Sequence, residues 1–268
     1  MSSEATRRAR ALAALGPLAS LVVLAAILAA RSAEPGRMTL ELAWAPPGPG
    51  RPLGSGDAGL ELGALVGHAT LRALGLAAVV SCVGFGVGLP LGAAAGLARG
   101  RAERAVLGVC DLVQAFPTFL LALAVLSAVA TPSRLHIGLV FAVTAWAPFA
   151  RLAAAQARVL ADAQFVEAAR ALGVSRFRTV ARHVLPNLLG TVAIQLGTSA
   201  AGLVLGEAAL GFVGLGPADG VSLGALLEQG TLGMLRAPHV LAVGAAAVAA
   251  ASFSLQLASE GLRRWAHG

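Results

Sequence analysis

The sequence predicts an all-α membrane protein with six spanning helices. Three observations carry that expectation. First, 57% of the 268 residues are hydrophobic and only 12% are charged, with a mean hydropathy of +0.79. A soluble domain carries about 25% charged residues, so this chain cannot cover a water-facing surface. Second, the chain holds six apolar runs long enough for a bilayer core, which takes about 20 residues of helix. Third, the arginines fall between those runs with a consistent bias to one side.

The first run is Ala11–Ala30. It follows Arg7, Arg8 and Arg10 as a signal peptide would, but it exceeds the usual 7–15-residue signal core and reads as a retained helix. The second is Ala73–Ala98, and the third runs from about Val106 to Ala130 with Asp111 near its start. The fourth begins at Leu135 and meets Arg151, so it is expected to be short or to end on a snorkelling arginine. The fifth is Val184–Gly206 and the sixth Ala237–Ser259. Between the first two spans, Trp44-Ala45-Pro46-Pro47-Gly48-Pro49-Gly50 reads as an irregular external linker, because Pro and Gly break regular structure. The expected organisation is an N-terminal tail, first span and linker over 1–66, then a five-helix core over 67–264.

With six spans, one side collects Arg7, Arg8 and Arg10; then Arg99, Arg101 and Arg104; then Arg151, Arg158, Arg170, Arg176, Arg178 and Arg182; then Arg263 and Arg264. The other side holds few arginines, matched by Glu34, Glu41, Asp57, Glu61, Glu207, Asp219 and Glu228. The positive-inside rule puts both termini in the cytoplasm of a multi-pass cell-membrane protein.

Two stretches stand out. In the second span Gly84, Gly88, Gly92 and Gly96 recur every fourth residue, a stripe that lets a neighbouring helix approach closely in lipid. Gly86 and Pro90 suggest a kink there. The second stretch, 167–186, reads EAARALGVSRFRTVARHVLP. Its arginines keep it in water or against a soluble partner. Phe165, Ala169 and Leu172 share one helical face, and Glu167 can pair with Arg170 at i, i+3. Gly173 suits a left-handed helix end, and Ser175 can cap a second helix whose apolar face is Phe177, Val180, Ala181 and Val184. Pro186 is expected to interrupt that helix where the fifth span begins. An ordinary interfacial amphipathic helix would explain the periodicity alone.

Other chemistries are disfavoured. The chain has no lysine, so it lacks a Walker A phosphate loop and a Schiff-base nucleophile. His68, His136, His183, His239 and His267 are scattered, which suggests no metal site, and Cys82 and Cys110 read as small packing residues. The net charge of +7 is dispersed, without a nucleic-acid footprint. A secondary transporter would place ionisable groups near mid-membrane. Here Asp111, His136 and His239 fall near span boundaries.

The 167–186 stretch, with Glu167-Ala168-Ala169, Gly173 and Leu185-Pro186, resembles the EAA loop of ABC importer membrane subunits. Further matches are Pro52-Leu53-Gly54, Asp111 with Phe116-Pro117, the run Ala208–Gly216, and Gly261-Leu262-Arg263. Over roughly 50–264 the chain is similar to the C-type permease subunit of the dipeptide/oligopeptide/nickel importer family. It departs from that family at Gly59-Leu60-Glu61, Gly67-His68-Ala69 and Ala218–Gly224, all on the outer side.

The resemblance implies a type I ABC importer permease for peptides, with nickel or another small solute as the alternative cargo. It implies a homologous second permease subunit, two cytoplasmic ATPases and an extracytoplasmic substrate-binding protein. The chain itself would hold no cofactor and catalyse nothing; ATP and Mg would sit in the ATPases. Glu167, Ala168, Ala169, Arg170, Gly173, Leu185 and Pro186 would couple to an ATPase. Asp111, Phe116, Pro117 and Glu207 are candidates for a gate or pathway.

Overall fold

The computed structural model describes residues 2–31, 37–218 and 220–267. Ten α-helices are described: α1 (Ser2–Ala29), α2 (Leu62–Ala98), α3 (Gly100–Gln114), α4 (Thr118–Ser127), α5 (Arg134–Leu160), α6 (Gln164–Ala171), α7 (Arg176–Thr179), α8 (Leu185–Phe212), α9 (Leu223–Leu232) and α10 (Pro238–His267). A π-helical turn, Val180–Val184, joins α7 to α8.

Among the described residues, three helices are long and apolar enough to cross a membrane: Leu62–Ala98, Arg134–Leu160 and Pro238–Arg263. Two bent pairs qualify if each pair is one span, namely α3 with α4 (61°) and Phe177–Val192 with Ile194–Phe212 (50°). Leu15–Ala29 is a shorter apolar helix.

Several boundaries differ from the sequence reading. The second span starts at Leu62, eleven residues before Ala73, and runs through Pro90 to Ala98. Polar His68 and Arg72 end the apolar run but do not end the helix, because backbone hydrogen bonding ignores side-chain polarity. The third apolar run is two helices. Pro117 has no N–H to donate and disfavours the α conformation at Phe116, so the chain bends between Gln114 and Thr118. The fourth helix does not end at Arg151 but continues to Leu160, because Arg151 finds Asp111 on α3 at 2.5 Å. The fifth begins at Leu185 and extends to Phe212, and the sixth reaches His267. Helix α9 lies where an outer loop is expected. Ser222 caps it, its hydroxyl accepting from the Ala225 N–H at 3.1 Å.

The helix–helix contacts explain the small residues. α2 and α5 form the most extensive pair. A Cβ at Gly84 would lie 2.8 Å from the Ala145 carbonyl oxygen, and Cβ atoms at Gly88, Gly92 and Gly96 would collide with the carbonyls of Trp146, Ala150 and Ala154. The two helices therefore run parallel, advancing together along four-residue ridges. α1 crosses α2 at Gly67, where a Cβ would be 2.6 Å from the Ala25 carbonyl. α8 packs on α10, and α9 fits against both through Gly211, Gly224 and Gly230.

The linker between α1 and α2, expected on the outer side, is a folded cap. It holds two 3-10 turns, Leu40–Leu42 and Asp57–Gly59. Arg51 donates to Ser55 Oγ and the Gly59 carbonyl, both at 2.7 Å. Trp44, at φ 61°, lays its ring against Gly233. Arg31 pairs with Glu61 at 2.6 Å, one of the matched charges on this side; Glu34 and Asp219 lie outside the described residues.

Candidate functional site

The elbow between α5 and α8 is built from α6, a turn at 172–175, α7 and the π turn. Gly173 sits at the turn with φ +73°, and nothing lies within 4 Å of where its Cβ would be. That backbone suits glycine because a Cβ clashes in the left-handed region, not because space is short. The Val174 N–H closes the end of α6 on the Ala169 carbonyl at 3.0 Å. Ser175 Oγ accepts from the Arg178 N–H at 3.4 Å, starting α7.

The faces of the elbow differ from the sequence reading. Phe165, Ala169 and Leu172 do not line one buried face. Val166 and Ala169 are buried, Phe165 is partly exposed, and Leu172 is 83% exposed. Val166 and Ala169, three apart, make the buried stripe of α6, which leaves Phe165 to one side of it and Leu172 at the exposed end of the helix. On the second limb Val180 and Val184 are buried, while Ala181 is exposed and Phe177 is 82% exposed. The π turn holds more residues per turn than the α-helix assumed in the sequence reading, so positions after Thr179 rotate out of line with Phe177. Pro186 does not interrupt the helix. It lies in the first turn of α8, where its missing N–H is tolerated, and the extra residue of the π turn precedes it.

Val166, Val180 and Val184 enter one apolar cluster with Leu89, Phe149 and Leu188. The elbow is thus seated on α2, α5 and α8. The Phe165 and His183 rings, 6.4 Å apart, bring its two limbs together. Outward it presents Glu167, Ala168, Leu172, Phe177 and Arg178. Leu185 is half-buried and Pro186 exposed. The Arg170 side chain, and with it the expected pair to Glu167, lies outside the described residues.

The four pathway candidates are not brought together. Asp111 is on α3, paired to Arg151; Phe116 is exposed in the α3–α4 bend and Pro117 caps α4. Glu207 is buried near the far end of α8, and its Oε2 has no hydrogen-bond partner among the described residues. A cavity of about 420 Å³ is lined instead by Leu60, Leu65, Arg72, Val221 and Gln229, among others. Two ion pairs below Asp111 also escaped the sequence reading. Arg99 donates to Asp162 at 2.5 Å, and Arg158 pairs with Glu103 at 3.5 Å. The Asp162 carboxylate raises the Arg99 guanidinium above its usual pKa. Pairing across more than 50 residues leaves no local signal. Two of the scattered histidines have local roles: His136 Nδ1 accepts from the Ser133 N–H at 3.1 Å at the start of α5, and His239 lies against Gly54. Among the described residues no three His, Cys, Asp or Glu side chains converge.

This geometry suits a docking element more than a reaction centre. The chain is 30% identical over 247 residues to a putative peptide transport system permease protein of Brucella suis biovar 1, covering 91% of this chain and 82% of the relative. It is 29% identical over 226 residues to the oligopeptide transport system permease protein OppC of Mycobacterium tuberculosis (81% of this chain, 76% of the relative). It is 30% identical over 200 residues to the glutathione transport system permease protein GsiD of Pectobacterium atrosepticum (74% and 65%). A solved structure of the MetNI methionine ABC transporter, in an inward-facing conformation, has a chain with the same fold. The TM-score is 0.62 at 20% identity, over 76% of this chain and 97% of that one. Residues 88–266 match the family described as the binding-protein-dependent transport system inner membrane component. The chain belongs to that family, and it is a multi-pass membrane permease.

Proposed function

We propose that the chain forms half of the translocation pathway of an ATP-driven importer for peptides, crossing the membrane six times with both termini in the cytoplasm. The observation that carries this reading is an exposed two-limbed elbow seated on α2, α5 and α8, in a chain of this transport family. The peptide cargo is inferred from relatives named for peptide, oligopeptide and glutathione transport. In this reading the six spans would be the three long helices, each bent pair taken as one span, and the shorter apolar helix Leu15–Ala29.

In this reading the partners are a homologous second permease, two cytoplasmic ATPases and a substrate-binding protein outside. ATP and Mg belong to the ATPases. Glu167, Ala168 and the exposed Leu172 and Phe177 enter a cleft on one ATPase, and Ala169 and Gly173 set the elbow's shape. When the motors close, the elbow shifts as a body, because its buried valines leave it few internal degrees of freedom. The π turn, Leu185 and Pro186 pass the displacement into α8, and Asp162 and Leu160 pass it into α5.

The test is reconstitution of this chain with its three kinds of partner in vesicles. ATP-dependent uptake of a labelled peptide is expected, with no ATP turnover by the purified chain alone. Uptake that persists without the ATPases, or ATP turnover by this chain free of contaminants, would refute the proposal.

A further inference from the structure

Two ion pairs join the elbow end of α5 to α3, and a third, just beyond the end of each helix, keeps the same antiparallel register. Arg99 meets Asp162, Arg158 meets Glu103, and Arg151 meets Asp111, at 2.5, 3.5 and 2.5 Å. Four residues up the chain from Arg99 to Glu103 match four down from Asp162 to Arg158; eight more to Asp111 match seven more to Arg151. The ladder covers roughly 17 Å of helix axis at 1.5 Å per residue. Little else holds α3 on α5. Their shared apolar cluster has only Cys110, Ala147 and Ala150 as buried members, whereas α2, α5, α8 and the elbow share a far larger one. Sliding α3 by one turn would break the Glu103 and Asp111 pairs together. Five of the six side chains are partly or largely exposed, so each pair adds little stability by itself, and what the three share is a common register.

We propose that this ladder makes α3 and α5 one axial unit, so that elbow displacement also reaches the Phe116–Pro117 bend ahead of α4. Arg99, Glu103, Asp111, Arg151, Asp162 and Arg158 are then positioning residues of the transport cycle, and this role rests on the coupling reading above. The elbow root is Asp162 itself, two residues before α6, so motion enters the ladder at its first rung.

The experiment is a charge-swap cycle in the complete reconstituted importer, read as peptide taken up per ATP hydrolysed. Asp111→Arg and Arg151→Asp alone are each expected to lower that ratio about tenfold, and the double swap to restore most of it. If either charge reversal blocks membrane insertion, Asp111→Asn and Glu103→Gln carry the measurement, with a smaller loss expected. A merely structural ladder would lower complex yield, ATP hydrolysis and uptake together and leave the ratio unchanged, which would overturn the proposal. So would a double swap no better than the singles. Gly173→Leu is measured in parallel. If it keeps wild-type uptake, the elbow reading itself fails; if it uncouples while every ladder variant keeps the ratio, only the ladder proposal falls.

Discussion

Helix α5 presents two unlike faces to its neighbours. Toward α2 it offers the backbone of Ala145, Trp146, Ala150 and Ala154, and glycines let the two helices touch along parallel ridges. Toward α3 it offers Arg151 and Arg158, and an antiparallel helix is held by charge with few buried apolar contacts. The contrast teaches how a membrane protein separates permanence from registration. Hydrophobicity cannot favour helix association when lipid is equally apolar, so close packing must do so, and it tolerates no added atoms. Ion pairs contribute less adhesion but specify which rung faces which.

The largest expected effect tests the packed face. Gly92→Leu places side-chain atoms inside the Ala150 backbone, which cannot rotate away as a side chain would. We expect a loss of about 3 kcal/mol or more and little folded protein in detergent, read by thermal unfolding. Gly86, on the same helix with nothing within 4 Å, sharpens the comparison. Gly86→Ala should keep or raise stability by up to about 1 kcal/mol, because alanine is the better helix former. Equal damage at both sites would show that the glycine stripe is not a packing face.

On the charged face, Glu103→Ala removes a nearly buried carboxylate from Arg158, whose side chain is largely exposed. The exposed partner can rehydrate, so the expected loss is only about 1 kcal/mol, well below that of Gly92→Leu. The same unfolding measurement ranks the two, and a reversed order would defeat the comparison.

Beyond both faces, the elbow extends the contrast from stability to function. Gly173→Leu should cost about 1 kcal/mol in backbone strain, since φ is +73° and the space is open, yet abolish uptake. Gly214, at φ +81° with equally open surroundings, lies at the other end of α8. Gly214→Ala carries the same strain and should retain uptake. Loss of uptake in both would trace the effect to strain alone. Glu167→Arg should also impair uptake, by reversing charge on the outward face of α6.

The smallest perturbation tests sidedness. Single cysteines at exposed Ser175 and at Leu235, which is 97% exposed, should leave folding unchanged in a Cys-free background. Membrane-impermeant reagent is expected to reach Leu235→Cys from outside and Ser175→Cys only from inside. Ser55 is unsuitable for this purpose, because it is fully buried in the cap between α1 and α2.

Composition alone established the solvent of this protein: a chain so poor in charge must place most of its surface in lipid. The apolar runs marked where long apolar helices form, and the spacing of Gly84, Gly88, Gly92 and Gly96 marked one side of α2, because helical periodicity is a local property. The motif at Glu167–Pro186 likewise located the elbow, and Gly173 announced its left-handed turn. Tertiary structure decided the rest. That α5 is the helix lying on those glycines, that Arg151 finds Asp111 on a helix running on to Leu160, and that Arg99 finds Asp162 are long-range pairings without a local signature. The exposed positions of Leu172 and Phe177 depend on where α6 stops and on a π turn, each set by how the elbow seats on its neighbours. Local backbone preference writes an element's period and its turns into the chain. Which faces meet, and in what register, depends on the packing of all the helices together.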